Sequence, residues 1–236
     1  MLIFEIMKRD KSILKAKLPA LISLLSIIFA GCNKYENIPS LPVNLAYYPL
    51  VLDAVNVYNV DSTVYDDFTN TTKQYQFKLK DSVTSTYLDG LGEEVYRIER
   101  YKKENSGNWK FQKVISRKII NNRAEEILDN KKYVRLVFPT KLYSSWNGNT
   151  YNDLDRWPHE VTRIDEPLTL SNLNLDSTLT VQQYEEINLI REDIYSEIYA
   201  KNIGLIVKEV KAIDKDISSG RTKKGYQYKM QLESHK

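Results

Sequence analysis

The chain is predicted to be mainly β, a single antiparallel meander sheet with few helices. Three observations predict it: apolar and polar residues alternate with period two, turn chemistry separates the alternating segments, and aromatics are plentiful. Seventeen tyrosines stand against eight glycines, and aromatic side chains suit a half-buried pleated surface. Such a sheet must shield its apolar face. It curls into a partial barrel, packs on a second sheet, or lies under the less regular stretch from Lys141 to Pro167.

The strands follow in order. Tyr75, Phe77, Leu79, Val83 and Tyr87 fall on one face, with Gln74, Gln76, Lys78 and Lys80 on the other, the pattern of a sheet with one wet face. Asp89-Gly90-Leu91-Gly92 supplies positive-φ positions for a hairpin, and its partner strand runs from Glu94 to Lys103. Asn105-Ser106-Gly107-Asn108 makes the next turn, before a strand from Trp109 to Ile120. A further hairpin centres on Asp129-Asn130-Lys131; the strand after it carries Val134, Leu136 and Phe138 on one face and stops at Pro139. Leu173, Leu175, Leu179 and Val181 alternate, as do Tyr226, Tyr228, Met230 and Leu232, and Leu205 to Val210 is a β-branched run. Ile187, Ile190, Ile194 and Ile198 have helical spacing, yet the last three share strand parity, and a strand from Leu189 to Tyr199 is preferred.

The N-terminus is of another kind. Lys8, Arg9, Lys11, Lys15 and Lys17 precede an apolar run from Leu18 to Ala30, then Gly31 and Cys32, the only cysteine. This is the layout of a secretory signal peptide, and the run is too short for the ~20 residues of a spanning helix. Cysteine directly after Ala-Gly resembles the lipobox of bacterial lipoproteins, which implies that Cys32 is acylated and becomes the mature N-terminus. The domains expected are therefore a signal peptide over 1–31, a polar tether over 32–45 and a β-rich globular domain over 46–236.

Setting residues 1–31 aside removes five of the 34 Lys and Arg and two of the 31 Asp and Glu, leaving 29 of each. The globular part is neutral, so the basic pI of about 8.6 belongs to the signal segment and gives no ground for nucleic-acid binding. With one cysteine there is no intramolecular disulfide, and stability must come from packing.

Chemistry is sparse. His235 is the penultimate residue, on a tail expected to fray, and His159 in Trp157-Pro158-His159-Glu160 reads as a surface loop histidine. No Gly-x-Ser-x-Gly string is present. Zinc needs several closely spaced ligands that the chain does not offer. No catalytic residue, metal site or cofactor is predicted. The acidic pairs Asp66-Asp67, Glu93-Glu94, Glu125-Glu126 and Glu185-Glu186 read as solvated strand ends and turns, because adjacent strand residues point to opposite faces. The lysine pairs 102–103, 131–132 and 223–224 flank turns, where lysine blunts exposed edges. The stretch from Tyr143 to His159 is the most suggestive, with Trp146, Tyr151 and Trp157 among amides and carboxylates. Aromatic plates of this kind stack on a sugar ring, or they pin a long loop to the sheet.

Several strings together carry a family resemblance: Tyr47-Tyr48-Pro49-Leu50 with Tyr58-Asn59-Val60-Asp61-Ser62, Tyr96-Arg97-Ile98-Glu99-Arg100, Leu136-Val137-Phe138-Pro139, Trp146-Asn147-Gly148-Asn149, and Ile198-Tyr199-Ala200-Lys201-Asn202-Ile203-Gly204-Leu205. With the lipobox, they resemble a group of uncharacterised lipoproteins from Bacteroidota. Those proteins usually open with Tyr-Phe-Pro-Leu, a glycine and Trp-x-Tyr; here Asp53 stands in the glycine's place and Asn56 in the tryptophan's. The resemblance implies an outer-membrane lipoprotein and no particular activity. The expected function is non-enzymatic binding or scaffolding by a lipid-anchored envelope protein. The membrane is its partner through the anchor, and a glycan or protein partner is left open. The alternatives are a carrier that shelters an acyl chain in a hydrophobic cavity, as lipoprotein-sorting factors do, and a glycan-binding lipoprotein.

Overall fold

Turn chemistry every few residues makes each strand pair with its sequence neighbour, and the result is a meander that curves back on itself. The computed structural model describes residues 44–170 and 172–236. Cys32, the signal segment and the tether up to residue 43 lie outside the described residues. A single 3-10 turn, Leu45–Tyr47, precedes twelve strands. These are β1 (Val55–Asp66), β2 (Thr71–Leu88), β3 (Glu94–Lys103), β4 (Trp109–Ile120), β5 (Arg123–Leu128), β6 (Lys131–Val137), β7 (Ser145–Asn147), β8 (Pro158–Leu170), β9 (Leu173–Ile187), β10 (Arg191–Ala200), β11 (Gly204–Lys215) and β12 (Thr222–His235).

All twelve belong to one sheet, antiparallel throughout, in the order β6-β5-β4-β3-β2-β1-β12-β11-β10-β9-β8-β7. The first and last strands pair at its middle, Asn56 opposite His235 and Val60 opposite Met230. The free edges, β6 and β7, come together: the Val134 N–H donates to the Gly148 carbonyl at 2.9 Å. The Trp146 Nε1–H reaches the Val134 carbonyl at 3.0 Å, and the Asn152 amide the Lys132 carbonyl at 2.8 Å. The sheet is thus a nearly closed barrel, which hides the edges that an open meander would expose.

The local chemistry explains the turns. Asn121-Asn122 and Asp129-Asn130 each take two consecutive positive φ angles, 47° and 58°, then 50° and 61°. Two-residue hairpins demand this backbone, and Asn and Asp tolerate it. Asp53 also adopts a φ of 65°, a glycine-like backbone at the place where the resembled lipoproteins carry glycine.

Apolar side chains gather in two clusters. One joins Tyr58, Val60, Leu79, Ile206, Met230 and Leu232. The other seats Tyr47 and Tyr48 against Leu136, Val161, Leu179 and Tyr199. The segment before β1 is thereby packed into the barrel, with Tyr47 Oη 2.8 Å from both Asp165 Oδ1 and Ser177 Oγ.

The structure corrects several expectations. Val55–Asp66, for which the alternation predicts no strand, is β1 and carries Tyr58 and Val60 into the core. The stretch from Lys141 to Pro167 is not an irregular cover, since its second half is strand β8. The C-terminal tail does not fray: the Lys236 and Val55 backbones exchange hydrogen bonds of 2.9 and 2.8 Å. On β2, Leu79 is buried and Phe77 half-buried, but Tyr75 is exposed, because the strand runs out past the core.

Candidate functional site: a charged cavity inside the barrel

Alternation sends every second side chain inward, and on several strands an apolar inward residue is followed, two positions on, by a charged one. Leu79 is succeeded by Asp81 on β2, Ile98 by Arg100 on β3, and Ile115 by Arg117 on β4; Ala124 is succeeded by Glu126 on β5. The sheet therefore turns a band of charge into its own interior. Asp81, Arg100, Arg117 and Glu126, with Arg135, Glu197 and Lys208, line a cavity of about 330 Å³.

The charges are paired in sequence around it. Arg100 grips Asp81 with two parallel bonds, Nε to Oδ1 at 2.7 Å and Nη2 to Oδ2 at 2.6 Å. Glu126 accepts from Arg117 Nε at 2.7 Å on one oxygen and from Arg135 Nη2 at 2.8 Å on the other. Glu197 accepts from Lys208 Nζ at 2.7 Å and from the Tyr199 hydroxyl at 2.5 Å. Arg135 Nη1 lies 3.7 Å from Glu197 Oε1 and links the two groups. Charge-assisted bonds of this length offset the cost of removing ions from water.

Electrostatics follow from this packing. Burial pushes the Glu126 carboxyl up, but the Arg135 and Arg117 guanidiniums outweigh it and hold it down at about 2. Burial likewise opposes ionisation of Glu197, and Lys208 and Arg135 keep it well below the usual carboxylate range. Burial raises the Tyr48 hydroxyl, which has no hydrogen-bond partner among the described residues. The Arg117 guanidinium lies 5.7 Å from the Tyr48 ring centre.

Two expectations fail here. Glu125-Glu126 is not a solvated strand end. The register shift at this step of the β5–β6 ladder leaves Arg135 as the extra residue on β6, both carboxylates are buried, and each meets its own cations, Arg123 and Lys132 for Glu125, Arg117 and Arg135 for Glu126. Nor is His159 a surface loop histidine. It lies in β8 with 2% of its surface exposed, edge-on to Trp146, and burial pushes its pKa down to about 4.

The aromatic residues of the 143–159 stretch are dispersed. Trp146 is half-buried, spends its indole N–H on Val134 and packs on the second core cluster. Trp157 stacks on Tyr184 with ring centres 4.8 Å apart and stands edge-on to Tyr195. Tyr151 is exposed, with the Arg123 guanidinium 4.8 Å from its ring centre. No common face unites the three. Among the described residues, no group of three or more His, Cys, Asp or Glu is placed to hold a metal ion.

No protein-family model matches the chain, and no curated protein matches it. Among solved structures it is similar to a candidate lipoprotein of Parabacteroides distasonis ATCC 8503, at 11% identity and a TM-score of 0.44, over 80% of this chain and 98% of that one. It is also similar to a candidate exported protein with a YmcC-like fold from Bacteroides fragilis NCTC 9343, at 11% identity and a TM-score of 0.39, over 80% and 97%. At such scores neither likeness transfers a role to any residue here.

Proposed function

We propose that this protein is a non-enzymatic, lipid-anchored binding protein of the bacterial outer membrane whose barrel receives a polar small molecule. The observation that carries the reading is the cavity's lining. Arg100, Arg117, Arg135 and Lys208 stand on it with Asp81, Glu126 and Glu197, inside a fold whose strands are otherwise ordinary. Small-molecule sites are concave, and a few convergent polar groups fix orientation within them. The anchor rests on the sequence around Cys32.

The same lining weighs against the acyl-chain carrier. A hydrocarbon laid along Arg100, Arg117 and Arg135 would exclude water from their guanidiniums without replacing its hydrogen bonds, which is costly. It also weighs against a glycan site built on Trp146, Tyr151 and Trp157, because two of those rings are engaged by the fold itself.

The test is native mass spectrometry of the full chain, released in detergent from bacterial envelopes. A bound small molecule is expected, and Ala54→Trp, which fills the cavity lining, should lose it. An unliganded protein whose melting is also indifferent to envelope small-molecule extracts would refute the reading.

A further inference from the structure

The pairing of charges around the cavity is incomplete, and the remainder has a sign. On the three acidic side chains, every carboxylate is engaged by a cation of the lining. The cations are not all spent. Arg117 gives only its Nε to Glu126; its Nη1 and Nη2 make no hydrogen bond to any described residue. Arg100 uses Nε and Nη2 on Asp81 and keeps Nη1 unbonded. Beside Arg117 stands the Tyr48 ring, and its hydroxyl is a second unsatisfied donor. The Tyr48 hydroxyl, buried without a partner, carries a desolvation cost that a bound acceptor removes.

We infer that the cavity's ligand is an anion, and that its carboxylate or phosphate group is held by the Nη1/Nη2 edge of Arg117 with Arg100 and Tyr48 beside it. This deepens the binding reading above and rests on it. A guanidinium presents two parallel N–H groups in the plane a carboxylate or phosphate accepts, which a point-charge ammonium does not. With Arg100, Arg117, Arg135 and Lys208 against Asp81, Glu126 and Glu197, the lining attracts an anion before contact is made. Its volume of about 330 Å³ is at the small end of ligand pockets, the size of a short dicarboxylate or a sugar phosphate rather than a polymer.

The experiment titrates the full chain in detergent, at matched ionic strength, with succinate, inorganic phosphate, glucose 6-phosphate and glucose, reading affinity by calorimetry and melting temperature. Binding of an anionic probe with glucose silent is expected. Preference for succinate would assign the group as carboxylate, and preference for glucose 6-phosphate as phosphate. Arg117→Gln should weaken binding roughly tenfold or more, while Arg97→Gln, on the half-buried Arg97–Glu99 pair outside the cavity, should not. Should Arg117→Gln fail to fold, Arg117→Lys keeps the charge without the fork, and wild-type affinity in it would overturn the role of the guanidinium edge. Glucose binding as tightly as glucose 6-phosphate, in wild type and variant alike, would overturn the inference and leave the cavity reading standing. An adduct in the mass spectrum that proves to be uncharged would do the same. Silence of every probe together with an empty mass spectrum would bring down both.

Discussion

Arg135 Nη1 stands 3.7 Å from Glu197 Oε1 although Arg135 is on β6 and Glu197 on β10, strands that are not neighbours in the sheet. The pair spans the interior. It ties the wall built by the first six strands to the wall built by the last six, at a depth where both side chains are nearly sealed from water.

Coupling across the barrel is therefore expected. Arg135→Met and Glu197→Leu should each be destabilising, by roughly 3–5 kcal/mol, since each leaves buried partners uncompensated. The double variant should fall short of the sum by roughly 0.5–3 kcal/mol. Denaturant melts of the four proteins measure this, and additivity within about 0.5 kcal/mol would show that the walls are not coupled here.

Acid should unfold the protein in two stages. The His159 pKa falls from an ordinary 6.5 to about 4 on folding, so the unfolded chain binds the proton more readily. Its neutral form costs nothing above pH 6.5, and stability declines as pH falls from there to about 4, by roughly 3 kcal/mol. Glu126 acts lower: depressed from 4.5 to about 2, it supports the fold above 4.5 and loses that support as pH falls toward 2. Melts of His159→Leu from pH 7 to 4.5 should lack the first decline; an unchanged slope would remove His159 from the account.

Gly148 owes its identity to His159. A Cβ at 148 would lie 2.5 Å from His159 Nε2, closer than side chains approach. Gly148→Ala should cost roughly 1–3 kcal/mol, as overpacking does. In a His159→Ala background the same change should cost much less. A thermodynamic cycle that shows equal penalties in both backgrounds would point to the backbone instead.

On β2, Leu79→Ala should cost roughly 2–5 kcal/mol, whereas Tyr75→Ala and Gln76→Ala, both exposed, should stay within about 0.5 kcal/mol of wild type. Phe77→Ala should fall between them. Equal losses at Leu79 and Gln76 in urea would mean that the register is displaced by one residue.

Cys32→Ala should release the protein from membranes or leave its signal segment uncleaved, without incorporation of a fatty-acid probe. Membrane fractionation and labelling that persist in the variant would end the lipoprotein reading.

The strands were legible where polarity alternates. β3 and β4 lie within the limits that Asp89-Gly90, Asn105-Ser106-Gly107 and their flanking residues predict, and Arg191–Ala200 is a strand rather than a helix, although its buried residues include Asp193, Glu197 and Tyr199 and Ile190 lies exposed in the turn before it. β1 is hard to see in the sequence because Asn59, Asp61, Ser62 and Thr63 make Val55–Asp66 look like a polar linker; on one side it pairs with the neighbouring β2, but its other partner, β12, is over 150 residues away and outside any local window. His159 looks like a loop residue because Trp157-Pro158 carries loop chemistry, while its burial comes from Trp146, opposite it on the neighbouring β7, and from Gly148 just beyond. The interior charges left one trace that was overlooked: Arg100, Arg117 and Glu126 continue the parity of Ile98, Ile115 and Ala124. A charge in step with the apolar face, repeated on adjacent strands, marks a wet interior. A single instance reads as a strand end.

The adjacency of β1 and β12 bears on how the chain acquires its shape as it emerges. Every other ladder joins strands next to each other in sequence and forms as soon as both are available. The ladder between Val55–Asp66 and Thr222–His235 cannot begin until the last segment has emerged. Two six-stranded hairpin arrays thus wait, each with an unsatisfied outer strand, for one long-range zippering step. Contacts of such sequence separation form slowly, so this closure is the stage at which the nascent barrel is most exposed to chaperones and proteases.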